Sequence, residues 1–458
     1  MKTTYDVRIW TIRTRYTQKQ GKKTPVSYGV RWVVSGKQFY ESFKTSALAG
    51  SFHADLLAAQ RKGEAFAIGS GLPVSIAREA SQMSWYEFAC SYIDMKWPTA
   101  AGHSRKGLAQ TLAAVTMVML STERGLISRD QLFKALQRWS FNLNNRAENP
   151  LEADRSVLRW VERNTKDVAS LEDPETMRAV LTRIGQKKDG QAAAARTRRR
   201  KHANLHHILD YGVERGLLSS NPITSVKWTA PKVSRSIDRR SVINPVQART
   251  LLRSIEEQGQ TGARLVAFFG VMYYAGLRPA EAVNLRRGNL ELPESGWGRL
   301  VLIESSTEPG KEWTDTGTLR EIRELKHRAK GETRNVPVSP ELTALLRRHL
   351  RDFGTGPDGL LFRGVQGRPL ASVTYRRAWQ RARTEVFTVE AAASPLAKRP
   401  YDLRHAAVST WLTSGVPATQ VAAWAGHSVG VLLEIYASCL DGQGELWRKK
   451  IEDTFGSH

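Results

Sequence analysis

The stretch AGHSVGVLLEIYA, residues 425–437, decides how the rest of the chain is read. Gly426 suits a helix C-terminus and Ser428 can cap the helix that follows. Val429, Leu432, Leu433 and Tyr436 then recur at the i, i+3, i+4, i+7 spacing of an amphipathic helix. By itself Tyr436 is as readily a half-buried core aromatic as a reactive group. His427, nine residues before it, adds a titratable side chain to the same short segment.

Two segments upstream supply the chemistry that a reactive tyrosine would need. AGLRPAEAVNL, residues 275–285, places Gly276 at a helix end and Pro279 at the first position of the next helix, so Arg278 stands at a helix start. RPYDLRHAAVSTWL, residues 399–412, repeats the arrangement, with Pro400 and Asp402 marking the start and Arg404 and His405 in the first turn. Helix N-termini favour phosphate, and a guanidinium adds two parallel donors. Each arginine alone is as easily a surface or capping residue. Together with His427 and Tyr436 they form a set able to attack a phosphodiester and hold the charge that develops.

Between these segments, residues 298–304, 318–326 and 334–338 read as a small three-stranded sheet with a turn near 329–332, inside an otherwise helical region from residue 242 onward. Residues 229–241 are polar, basic and Pro-containing, a linker. From 75 to 228 the pattern is helical. Ser84 is a cap for the helix starting at Trp85, and residues 107–120 have helical spacing. The last helix opens with Arg196, Arg198, Arg199, Arg200 and Lys201 over an apolar stripe of Leu205, Ile208, Leu209 and Val213, a candidate phosphate clamp. The first 65 residues alternate like strands over 5–12, 28–34 and 38–43, with GKKTP (21–25) separating the first two and Ser35-Gly36 turning between the second and third; a helix follows over 46–62. Arg8, Arg13, Arg15 and Arg31 are its candidate DNA contacts.

Composition agrees with a nucleic-acid partner. A net charge of +25 spread along 458 residues points to a polyanion, while 41% apolar content and 13 tryptophans point to packed domains and away from a charged tail protein. Cys90 and Cys439 are the two cysteines and form no zinc or disulfide pattern. The longest apolar run, near residues 265–277, is too short to span a bilayer, and the start MKTTYDVRIW lacks a signal-peptide core. The expectation is a cytoplasmic protein, nucleoid-associated when active.

GLRPAE, YDLRH, and GHSV followed by tyrosine resemble, in order and spacing, the signature of tyrosine recombinases, the phage-type integrase family, with the greatest likeness to integrases of actinobacterial phages and integrative plasmids. The resemblance is strong over residues 245–440. It implies a multidomain fold: a small β-rich arm-binding domain (1–65), an all-α, SAM-like core-binding domain (75–228), the linker, and a mainly α catalytic domain with a small antiparallel sheet (242–440). The resemblance further implies a tail, 441–458, that can be exchanged between protomers. It also implies a site-specific DNA recombinase that cleaves and rejoins DNA through a 3′-phosphotyrosine to integrate or excise a mobile element.

Carried over by position, Tyr436 is the nucleophile, Arg278 and Arg404 grip the phosphate, His427 hydrogen-bonds it, and Glu281 orients the site. Two positions depart or stay open. Tyr401 stands where the family commonly has a histidine, and a phenol is a poor base at neutral pH, so His405 is an alternative. In ELKHRAKGETRNVPV, residues 324–338, either Lys326, the preferred choice, or Lys330 is the hairpin lysine that protonates the leaving oxygen. One phosphoester replaces another, so no ATP, metal or other cofactor is implied. The implied partners are double-stranded DNA attachment sites, a homotetramer assembled on them, and a directionality or DNA-bending factor. A type IB topoisomerase and a non-catalytic DNA-binding protein of the same fold are the competing readings.

Overall fold

The computed structural model describes residues 3–456 apart from 20–21, 77–82, 127, 149, 235, 327, 330 and 441–443. The chain divides into two units, Met1–Lys232 and Val233–His458.

In the first unit, short strands β1 (Thr3–Thr4), β2 (Val7–Ile9), β3 (Arg13–Lys19), β4 (Lys22–Val34) and β5 (Lys37–Phe43) precede helix α1 (Ser46–Arg61) and strand β6 (Phe66–Ala67), which pairs with β1. β4 is central. β5 lies along one edge, and β2 and β3 lie end to end along the other. The first expected strand is therefore broken near residue 10 and resumes to Lys19. GKKTP is no separator: from Lys22 it belongs to β4. Its proline is tolerated because the β3–β4 register shifts at Tyr16↔Pro25, a bulge where no ladder N–H is required. The Ser35–Gly36 turn forms as expected, both residues at positive φ as a two-residue hairpin demands.

Val30, Trp32 and Val34 face α1 and bury against Ala49 and Leu56. Period-two alternation then sends the other side of β4 outward. Arg31 lies on that side, and the registers Arg8↔Val33, Arg13↔Gly29 and Arg15↔Ser27 put the other three arginines beside it. All four are exposed.

The remainder of this unit is helical: α2 (Trp85–Lys96), α3 (Gly102–Thr116), α4 (Arg129–Ala135), α5 (Leu143–Arg146), α6 (Glu152–Arg163), α7 (Pro174–Ile184) and α8 (Ala195–Glu214). The Ser84 hydroxyl accepts from the Glu87 amide and caps α2. On α8, Leu205, Ile208 and Leu209 are buried while Arg196, Arg199 and Arg200 at its start are exposed.

The second unit comprises α9 (Pro245–Glu256), α10 (Gly259–Tyr274), α11 (Pro279–Val283), β7 (Leu290–Glu291), β8 (Gly298–Leu302), β9 (Glu304–Thr307), β10 (Glu321–Glu324), β11 (Arg334–Val338), α12 (Pro340–Phe353), α13 (Ser372–Val386), α14 (Val389–Ala393), α15 (Asp402–Thr413), α16 (Ala418–Ala425), α17 (Val429–Leu440) and α18 (Gly444–Phe455). α10 is buried along its length by Leu265, Val266, Phe268, Phe269, Val271 and Met272, and the other helices pack around it. The expected single sheet is two. β8 pairs with β7 on one edge and β11 on the other, both at Leu300. With both edges of β8 taken, the segment expected to complete it pairs with β9 as a separate hairpin, Glu321↔Thr307 to Glu324↔Glu304. The linker is also not free: the Ile237 amide donates to Ile435 O at 2.9 Å, and its side chain packs against the cluster of Leu432 and Tyr436.

Candidate active site

Gly276 follows α10 at φ 59°, and Gly426 closes α16 at φ 63°, both in the left-handed region that favours glycine. A Cβ on Gly276 would lie 2.9 Å from the Trp411 ring, and one on Gly426 would lie 2.5 Å from Arg334 Nη1. Their carbonyls cross-connect the motifs. Arg278 Nη2 donates to Gly426 O at 2.9 Å, and Arg404 Nη1 donates to Gly276 O. Each arginine thus secures the turn of another motif.

Glu281 lies beneath this lattice, almost wholly buried. Burial pushes its carboxyl up, but Arg334 overrides this with donors at 2.8 and 2.6 Å, aided by Arg278 at 2.7 Å and by Arg404, and it is held far below the usual carboxylate range. Glu281 Oε2 also accepts from the Arg278 amide at 2.8 Å. That amide, at the start of the five-residue α11, is therefore occupied by a carboxylate and is not a free phosphate donor as its helix-start position suggested. Arg334 was not singled out from the sequence. Its signal was a charged residue in phase with Val336 and Val338, the inward side of β11.

Arg404 is fully buried. Its Nη2 donates to Ala425 O and to His427 Nε2, the latter at 3.0 Å. Because a guanidinium only donates, Nε2 is the acceptor and the His427 proton sits on Nδ1. Burial lowers the Arg404 pKa to about 10, which leaves it charged at neutral pH. Burial, with Arg404, Arg278 and Arg334 nearby, pushes His427 down to about 3. Arg278 differs in keeping 17% of its side chain exposed.

Tyr436 is 0% exposed. Its hydroxyl lies 3.0 Å from His405 Nδ1, and its ring sits 6.3 Å from that of His427. The Tyr401 ring meets that of His405 edge-on at 5.1 Å. Ser428 caps α17 through the Val431 amide at 3.3 Å, which fixes where the helix bearing Tyr436 begins. Lys326 stands exposed in the turn after β10, apart from this hydrogen-bonded set; Lys330 lies outside the described residues.

Two guanidiniums, a neutral imidazole, and a phenol bonded to a second imidazole are the equipment of phosphoryl transesterification, with a tyrosine as acceptor and cations for the developing charge. Residues 241–442 match the family model of the phage integrase family, and this region is a tyrosine recombinase domain. It is similar to the tyrosine recombinase XerC of Mesorhizobium japonicum, 26% identical over 278 residues that cover 59% of this chain and 75% of that protein. It is also similar to XerC of Brucella melitensis, 24% identical over 68% of this chain and 91% of that one. Among solved structures, the Tn1549 transposon integrase in complex with a circular intermediate DNA superposes with a TM-score of 0.49 at 16% identity, covering 71% of this chain and 98% of that one. The family match and the XerC relatives make the protein a site-specific DNA recombinase. No helix among the described residues is long and apolar enough to cross a membrane.

Proposed function

We propose that this recombinase integrates or excises a mobile element, with Tyr436 attacking the scissile phosphate to leave a 3′-phosphotyrosine and a free 5′-hydroxyl. Arg278 and Arg404 stabilise the pentacoordinate phosphorus, and His427 hydrogen-bonds a non-bridging oxygen. Lys326, on its exposed turn, reaches the leaving oxygen and protonates it. Attack by the 5′-hydroxyl of a second strand reverses the step. The observation that carries this reading is the convergence of three motifs far apart in sequence into one bonded lattice around Glu281 and Gly426.

Arg404 and Tyr436 are sealed from solvent, so the groups around them must part before a phosphate can enter. Arg278, the partly exposed member, makes the first contact. The exposed arginines on the outer face of β2–β4 take up arm-type DNA, and the cationic start of α8 clamps the core site. Four protomers on two duplexes supply the active sites that strand exchange requires. In the tail helix α18, Ile451 and Phe455 are exposed, Phe455 at 83%, and they dock on a neighbouring protomer. A directionality or bending factor sets the outcome at the attachment sites. The likeness to integrases of actinobacterial phages and plasmids rests on the three motifs. The protein acts in the cytoplasm, at the nucleoid.

Incubation with a nicked suicide substrate carrying the attachment site tests the chemistry. A covalent protein–DNA species from the wild type, absent from Tyr436→Phe, is expected. Its absence from a wild type that binds the site would overturn the proposal. Relaxation of plasmids lacking any attachment site would instead favour a topoisomerase.

A further inference from the structure

The family position that commonly supplies a base holds Tyr401, a phenol where an imidazole is usual. His405 Nδ1 meets the Tyr436 hydroxyl at 3.0 Å, a half-buried imidazole against a fully buried tyrosine. We propose that His405 is the group that takes the Tyr436 proton during cleavage and returns it during rejoining. This rests on the reading of Tyr436 as nucleophile.

Three observations argue for it. The first is direction: a phenol is a far stronger acid than a neutral imidazole N–H, so in this pair the hydroxyl donates and Nδ1 accepts. The second is placement. His405 adjoins Arg404 in the first turn of α15, so a Tyr436 oxygen brought to a phosphate held by Arg404 remains beside His405. The third is charge. The groups facing His405 are Asp402, Arg399 and Arg404 from its own segment, Tyr401 before it and Tyr436 from α17. Burial, with Arg399 and Arg404, pushes its pKa down to about 4 against the opposing pull of Asp402, so the ring is neutral at pH 7 and able to accept. A phosphodiester arriving at Arg278 and Arg404 brings a negative charge that raises the basicity of the imidazole when it is needed.

The step balances. The Oη–H bond breaks as N–H forms on Nδ1, the Oη lone pair bonds to phosphorus, and the P–O5′ pair leaves on the 5′-oxygen, which takes a proton from the Lys326 ammonium. Rejoining runs each transfer backwards. Tyr401 is then a positioning residue, its ring packed edge-on against that of His405.

The test measures covalent adduct formation from pH 5.5 to 9.5 on a suicide substrate whose scissile 5′-bridging oxygen is sulfur. A sulfur leaving group needs no proton, so the profile reports the base and not the acid. The wild type should be flat near neutrality. His405→Ala should be slower by about 10²–10⁴-fold at pH 7 and recover roughly tenfold per pH unit toward the phenol's own range. His405→Asn, whose side-chain oxygen can accept the hydrogen bond but take no proton, guards against loss of fold and should show the same slope. Lys326→Ala should be rescued by the sulfur substrate, whereas neither His405 variant should be. A His405 defect of equal size at every pH, or its rescue by the sulfur substrate, would overturn the assignment while leaving Tyr436 as nucleophile. Failure of the wild type to form any adduct would instead sink the underlying reading.

Discussion

Arg278 and Arg404 look interchangeable in sequence, each at a helix start shortly after a proline-bearing or glycine-bearing turn, yet they occupy opposite environments. Arg278 keeps part of its side chain in solvent, donates to Glu281 and Gly426, and has its amide capped by a carboxylate. Arg404 is sealed; its two Nη groups bond the Gly276 and Ala425 carbonyls and His427, while its buried Nε has no partner among the described residues. In the proposed mechanism the first is the one that meets the phosphate. The second ties together the two turns at Gly276 and at Ala425–His427. Similar local patterns therefore end in a partly exposed arginine and a sealed one, and the difference comes from what lies across the site.

The comparison can be broken most severely at Glu281, the anion common to both arginines. Glu281→Gln leaves Arg334 buried and without its counter-charge, and a loss of about 3–5 kcal/mol in urea-unfolding stability is expected. A loss below about 1 kcal/mol would mean that the anion does not organise the lattice.

Replacing each arginine by alanine probes the two environments separately. Both changes should slow adduct formation by about 10²–10³-fold. Arg404→Ala should lower stability more, by about 1–3 kcal/mol for each carbonyl left unpaired in the sealed interior, because the Arg278 bonds are partly open to water. Equal stability losses in the two variants would erase the distinction. Gly426→Ala, at positive φ and facing Arg334, should cost about 1–2 kcal/mol from backbone conformation, with adduct formation reduced as Arg334 is displaced.

The smallest effect is on pH dependence. His405 and His427 are depressed in the folded protein, to about 4 and about 3, from an ordinary value of 6.5. Below pH 6.5 the unfolded chain binds protons that the folded chain refuses, so their contribution is complete above that pH and is lost progressively as pH falls toward 4. Unfolding midpoints measured from pH 7.5 to 4.5 should decline with acid, and less so in His405→Asn.

Much of this was legible in local pattern. Ser84, Ser428 and the Ser35–Gly36 turn announce caps and turns through side chains that bond their own backbone or relieve it. The positive-φ glycines at 276 and 426 mark where helices end. Pairings set by distant residues were not legible. GKKTP reads as a separator until a bulge opposite Tyr16 excuses its proline. The middle segment of the expected catalytic sheet has no local sign that both edges of β8 are already occupied. Arg334 shows itself only as a charge on the inward side of a strand, and its partner Glu281 is far back in the chain. The closure of the site around Tyr436 follows from packing by Val408, Val421 and Leu432, whose own motifs say nothing of a nucleophile.

The central claim is that the buried tyrosine of α17 becomes joined to DNA. Trapping the adduct on a suicide substrate, digesting it with nuclease and protease, and sequencing the nucleotide-bearing peptide by mass spectrometry tests it directly. The account predicts a phosphonucleotide on Tyr436 and none in Tyr436→Phe. A nucleotide on Tyr401 or any other side chain, or an adduct that survives the substitution, would contradict it.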